Sequence, residues 1–76
     1  MKTKKIPTSA MLFVEQGDKP PIYKELYEIG YEMPPIIVAR RGRKYEILDG
    51  NKRGRSAIAA GLSVIHATIQ GKFTNQ

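Results

Sequence analysis

The residues best suited to chemistry lie together in Tyr45-Glu46-Ile47-Leu48-Asp49-Gly50-Asn51-Lys52-Arg53-Gly54-Arg55-Ser56-Ala57. A β-prone run ends there, a glycine turns the chain, and a helix-forming run begins among cations. The backbone N–H groups of a helix's first turn have no partner within the helix, and the helix dipole adds partial positive charge to them. Such an end favours phosphate or another anion. Lys52, Arg53 and Arg55 add full charges, and an arginine can hold two phosphate oxygens at once. Gly50 has no side chain to keep an anion from the backbone. Positive charge in a first helical turn opposes the dipole, so these cations are locally unfavourable without an anion. Gly50, Asn51, Lys52, Arg53 and Arg55 are therefore the expected phosphate- or nucleotide-binding residues. The alternative is a solvated basic turn.

Asp49 has two readings. It would ligand Mg²⁺ on a bound nucleotide or act as a base near the phosphates. Otherwise it caps the helix or pairs with a neighbouring arginine. The turn is neither a Walker loop nor a dinucleotide fingerprint, because Gly-x-x-x-x-Gly-Lys-Ser/Thr and Gly-x-Gly-x-x-Gly are both missing. There is no cysteine, which excludes disulfides, thiolate nucleophiles and cysteine zinc sites, and His66 is the one histidine. The carboxylates show no pairing suited to acid–base work, and His66 reads as a packing or surface residue.

Charge points the same way. The net charge is +6 over 76 residues, and residues 40–55 alone carry seven cations against two acids, a net +5. A polyanionic partner, nucleic acid or nucleotide, follows as one reading and plain solubility as the other. Arg40, Arg41, Arg43 and Lys44 form a second basic group, which would track a nucleic-acid backbone by neutralising phosphates. No basic–aromatic interleaving of the single-strand-binding kind accompanies it. The mean hydropathy of −0.39 suits a soluble globular chain. No apolar run reaches the roughly 18 residues of a membrane span, and no signal-peptide apolar region follows the basic start. A cytoplasmic, non-membrane protein is expected.

The elements that must position these residues are legible as well. Met11–Val14 reads as a strand, with Pro7 confining its approach to a sheet edge. Gln16-Gly17-Asp18 is a turn, and Asp18 would cap a helix opening at Pro20 and Pro21. Ile22, Leu26 and Ile29 would form that helix's buried face, with Tyr23, Tyr27 and Tyr31 as packing residues, and Gly30 would end it. Ile36-Ile37-Val38-Ala39 is a strand buried on both faces. Arg40-Arg41-Gly42-Arg43 is a hairpin turn, and Lys44–Leu48 returns. A helix follows over Asn51–Ala60, with Ala57, Ile58 and Gly61 at core-facing spacing and Gly61 as its stop. Gly54, costly in mid-helix, implies close approach to the sheet or to a ligand. Ser63–Gln70 alternates as a final strand, Ile65, Ala67 and Ile69 on one side and Val64, His66 and Thr68 on the other. The expected fold is a single α+β domain spanning 1–76, a single-layer mixed sheet with two packed helices in β-α-β-β-α-β order. Residues 1–4 and 71–76 should fray. So small a core would suit completion by a homodimer.

Pro34-Pro35-Ile36-Ile37-Val38, then Tyr45 to Arg53, then Ala57 and Gly61-Leu62 resemble the N-terminal domain shared by ParB partition proteins and sulfiredoxins, over roughly residues 5–70. The resemblance implies a nucleotide-binding glycine–x–x–arginine turn, used for CTP in ParB, ATP in sulfiredoxin and ADP in related free-serine kinases. Gly50 and Arg53 match its glycine and phosphate-binding arginine. Arg55 and Ala57 match the later positions of ParB's Gly-Glu-Arg-Arg-x-Arg-x-Ala, while Asn51 and Lys52 depart from it. Asn51 stands where sulfiredoxin has its catalytic cysteine, and asparagine is no nucleophile, which removes sulfinic acid reduction. Asp49-Gly50 and Arg53 resemble the kinases' Asp-Gly-His-His-Arg, with Lys52 in place of a histidine. The second ParB nucleotide motif and its helix-turn-helix DNA reader would fall beyond residue 76. The resemblance thus implies a module for a nucleoside di- or triphosphate, with Mg²⁺, that only binds, slowly hydrolyses, or transfers phosphate. A small DNA- or RNA-binding protein, of phage or plasmid type, using the Arg40–Arg55 basic face remains its rival.

Overall fold

A run such as Ile36-Ile37-Val38-Ala39 exposes no polar face, so a sheet can hold it only at its centre. The computed structural model, which describes residues 3–13 and 21–70, places it there. The described residues form strands β1 (Thr3–Pro7), β2 (Met11–Leu12), β3 (Ile36–Arg41), β4 (Lys44–Asp49) and β5 (Val64–Ile69), and helices α1 (Pro21–Glu28) and α2 (Asn51–Ala59). A short 3₁₀ turn, Thr8–Ala10, joins β1 to β2. The strand order is β1-β5-β3-β4-β2. β3 lies antiparallel to β4 and parallel to β5, while β1 is antiparallel to β5 and β2 parallel to β4. This is the expected α+β mixed sheet, with one strand more than the sequence suggested.

The additional strand is β1. Thr3 and Lys4, expected to fray, instead pair with Thr68 and Ala67. Pro7 closes this edge strand, which tolerates a residue without an N–H. The chain then crosses to the opposite edge, where Met11 and Leu12 pair with Tyr45 and Glu46. Val14, Gln16–Asp18, Pro20 and residues 71–76 lie outside the described residues.

Ile6, Ile36, Val38, Ile47, Ile65 and Ala67 of the sheet share one core with Tyr27 of α1 and Ala57 of α2. Burying each large aliphatic side chain contributes about 1.5–3 kcal/mol. Two expected helix faces need correction. Ile22 and Ile29 are exposed and Leu26 only half-buried, because α1 turns Tyr27 inward and so buries a larger apolar area. In α2, Ile58 is exposed, and Gly54, Ser56 and Ala57 are buried. Small residues let this helix approach closely. Gly30 and Gly61 end their helices as expected: each has positive φ, and the bonds Tyr31 N–H to Leu26 O and Leu62 N–H to Ala57 O close Schellman caps.

Candidate functional site

The strand that leads into the basic turn changes register just before it. Ile37 faces Asp49 while Val38 faces Ile47, so Leu48 is an extra residue, a β-bulge. Strict alternation would turn Asp49 inward after Tyr45 and Ile47. The bulge instead leaves both Leu48 and Asp49 exposed at the end of β4.

Gly50 follows with φ +111° and ψ 27°, at the N-cap of α2. A Cβ there would lie 2.6 Å from Ile36 Cγ2, 2.9 Å from Ile36 Cβ and 3.2 Å from Arg53 Nη2. Only glycine fits. It provides no capping side chain, and the first turn of α2 holds no acidic residue, so nothing neutralises its N-terminal amides locally. Of the two structural roles expected for Asp49, the cap is not made, and the pairing with a neighbouring arginine is: it stands 71% exposed with Oδ2 3.8 Å from Arg53 Nη2, a long ion pair beyond hydrogen-bond range.

Arg53 is fixed from below. Its Nη2 donates to the Pro35 carbonyl at 3.2 Å, and its side chain is only 22% exposed. Asn51 Oδ1 and Arg53 Nε are shielded from solvent and have no hydrogen-bond partner among the described residues. A cavity of about 300 Å³ opens here, lined by Tyr23, Leu48, Asp49, Gly50, Asn51, Lys52 and Arg53. Four of the expected binding residues, Gly50, Asn51, Lys52 and Arg53, thus meet at one cavity, together with Asp49.

Arg55 does not join them. Its guanidinium lies 4.4 Å from the centroid of the Phe13 ring, and it lines a separate hollow with Phe13, Ile58 and Ala59. Phe13 also explains Gly54: a Cβ there would meet two Phe13 ring carbons at 3.1 and 3.3 Å. The close approach is to the protein itself, not to a ligand. The hairpin cations are distant as well. Arg40 and Arg41 end β3, Lys44 opens β4, and Gly50 follows the end of β4, about 20 Å from Lys44 at the usual strand rise. At the hairpin Arg41 pairs with Glu46 at 2.7 Å, Arg40 lies over Tyr45, Lys44 reaches the Ser9 carbonyl, and Arg43 is exposed.

Two cavity residues escaped the sequence reading. Tyr23 resembled its neighbours Tyr27 and Tyr31 in the i, i+4 series, and only a helix–helix contact separates their roles. Leu48 became a wall residue through a bulge that leaves no mark in composition. Tyr27 itself is buried, which raises its phenol pKa above 10.0, and the nearby Arg53 guanidinium partly opposes the rise. The folded chain therefore keeps this proton where the unfolded chain loses it. The associated stability is whole below about pH 10 and declines as pH rises further. Between about pH 10 and 11.5, thermal melts of wild type should fall more steeply than those of Tyr27→Phe.

By sequence, the chain matches no protein-family profile and no curated protein. By structure it has clear relatives. It aligns with the C-terminally truncated chromosome-partitioning protein ParB of Caulobacter crescentus, complexed with CTP-γ-S, at TM-score 0.73 and 17% identity, over 97% of this chain and 47% of that one. A free serine kinase variant in complex with ADP aligns at TM-score 0.82 and 18% identity, over 99% of this chain and 34% of the kinase. A sulfiredoxin of Arabidopsis thaliana aligns at TM-score 0.73 and 18% identity, over 95% of this chain and 88% of the other. The chain spans less than half of the ParB and kinase chains. The two helices, the five-stranded mixed sheet and these structural matches agree with the resemblance carried by Pro34–Val38 and Tyr45–Arg53: the chain has the ParB/sulfiredoxin-like fold.

Proposed function

We propose that the cavity at the start of α2 binds a nucleoside phosphate. The observation that carries this is Gly50: its positive φ and lack of a Cβ bring the backbone, the uncapped amides of α2 and the Arg53 guanidinium to one point. Arg53, positioned by Pro35, would hold phosphate oxygens through guanidinium N–H groups facing the cavity, and exposed Lys52 would add charge. Two relatives of the same fold are complexed with CTP-γ-S and with ADP, which supports the ligand class.

The donor set also fits Mg²⁺ brought in on the nucleotide. Among the described residues no three His, Cys, Asp or Glu side chains gather as a metal site, so most ligands would be phosphate oxygens and water. Among the described residues, Asp49 is the one carboxylate lining the cavity. It would supply the protein's oxygen ligand, or accept a proton if the module hydrolyses or transfers phosphate. Calorimetric titration with ATP, ADP and CTP tests the proposal. Micromolar binding is expected, and binding of millimolar or weaker affinity throughout would overturn it.

The hairpin cations favour a second, weaker reading, contact with a nucleic-acid backbone. Arg43 and Lys44 are exposed at the tip. This tip and the Gly50 turn stand at opposite ends of β4, so a nucleic-acid backbone contacting the whole Arg40–Arg55 segment would run the length of that strand. A gel-shift series should show duplex affinity falling steeply with salt, and less steeply in Arg43→Ala/Lys44→Ala. Absence of binding at low salt ends this reading. No helix among the described residues is long and apolar enough to cross a membrane.

A further inference from the structure

The cavity has more than an anion-binding wall. Its polar lining, Asp49, Asn51, Lys52 and Arg53, comes entirely from the turn and the first residues of α2. The remaining side chains, Tyr23 from α1 and Leu48 from the bulge, add an aliphatic group and an aromatic ring whose single hydroxyl is the polar group they bring. Leu48 is 43% exposed, a large apolar side chain held in solvent beside a cationic turn. Tyr23 is half-buried, so its ring is braced by the helix yet open to the cavity. An aromatic ring and an aliphatic side chain next to a phosphate-binding turn form a surface for a flat apolar group joined to a phosphate chain.

We infer, building on the phosphate site proposed above, that Tyr23 and Leu48 hold the nucleobase, Tyr23 by stacking and Leu48 by apolar contact. This arrangement selects by stacking area, not by base edges. Reading a base edge requires fixed donors and acceptors, and among the described residues the Tyr23 hydroxyl is the only polar side-chain group on this part of the wall. Stacking is tolerant of base identity because every base has a π-face. Purines, with the larger ring system, bind more tightly than pyrimidines, and adenine and guanine bind about equally.

The test compares ATP, GTP, CTP, UTP and inorganic tripolyphosphate by calorimetry on wild type, Tyr23→Phe and Tyr23→Ala, with circular dichroism melts to establish that each variant is folded. Wild type should bind ATP and GTP about 10-fold or more tighter than tripolyphosphate, with CTP and UTP between. Tyr23→Phe, which keeps the ring, should preserve that order. Tyr23→Ala should bring all four nucleotides close to the tripolyphosphate affinity, which itself stays unchanged. The inference is overturned if wild type binds tripolyphosphate as tightly as ATP, if CTP binds best, or if folded Tyr23→Ala retains the nucleotide preference. If wild type binds neither tripolyphosphate nor nucleotide, the anion site itself fails, and this inference falls with it.

Discussion

Gly50→Ala is expected to remove most of the protein's stability. Two costs act together at this position. An L-residue at φ +111° adopts a backbone conformation that side chains rarely tolerate, at about 1–3 kcal/mol. The new methyl would also lie 2.6 Å from Ile36 Cγ2 and 2.9 Å from Ile36 Cβ. Ile36 is fully buried at the centre of the sheet and cannot yield without disturbing the core. Overpacking of this kind costs a further 1–3 kcal/mol or so. A domain this size has about 4–11 kcal/mol in all, so the variant should be marginal or unfolded in urea titrations. Gly42→Ala is the control. Gly42 also has positive φ, +61°, but nothing lies within 4 Å of the added carbon. It should lose only the backbone term, about 1–2 kcal/mol. If the two variants melt alike, the turn is not held against Ile36 and the geometry of the site is wrong.

The contrast between these glycines shows what the sequence could and could not reveal. Positive φ was legible at Gly30, Gly42 and Gly61, because turns and helix ends demand it locally, whereas Gly50 was legible only as a turn. That Gly50 also abuts Ile36, fourteen residues earlier, depends on the register of the β3–β4 hairpin and on its bulge at Leu48, and no local pattern encodes those. The same divide runs through the site. Asp49 to Arg53 were identifiable because adjacent residues on one turn stay adjacent in space. Arg55, only two positions beyond Arg53, points to Phe13 because a helix rotates by about 100° per residue, and the partner it meets comes from the far end of the chain. Likewise the continuous basic segment 40–55 divides between the two ends of β4, since an extended strand carries its termini apart. The apolar run Ile36–Ala39 fixed the centre of the sheet unaided. The split of the first strand into β1 and β2, on opposite edges, rests on pairing with β5 and β4, and no periodicity within residues 3–13 announces it.

Arg53→Ala should weaken nucleotide binding by about 10- to 100-fold, the value of one charge-assisted hydrogen-bonding group at a partly shielded site. Folding should suffer far less, since the lost polar contacts are one bond to the Pro35 carbonyl and a long, solvent-exposed ion pair with Asp49. Arg53→Lys distinguishes charge from geometry. Lysine retains the cation, but its three N–H groups radiate from one nitrogen, so it cannot reproduce the planar fork that anchors on Pro35 while presenting a parallel pair of donors to a phosphate. It should recover only part of the lost affinity. Arg55→Ala completes the set: its guanidinium sits over the Phe13 ring and outside the cavity, so titrations should change by no more than the small screened effect of one nearby charge. Equal losses in Arg53→Ala and Arg55→Ala would mean that a diffuse positive field, rather than this cavity, holds the ligand. A large loss confined to Arg53, with Arg53→Lys between, would tie the affinity to a guanidinium that the fold fixes in place, on Pro35, before any phosphate arrives.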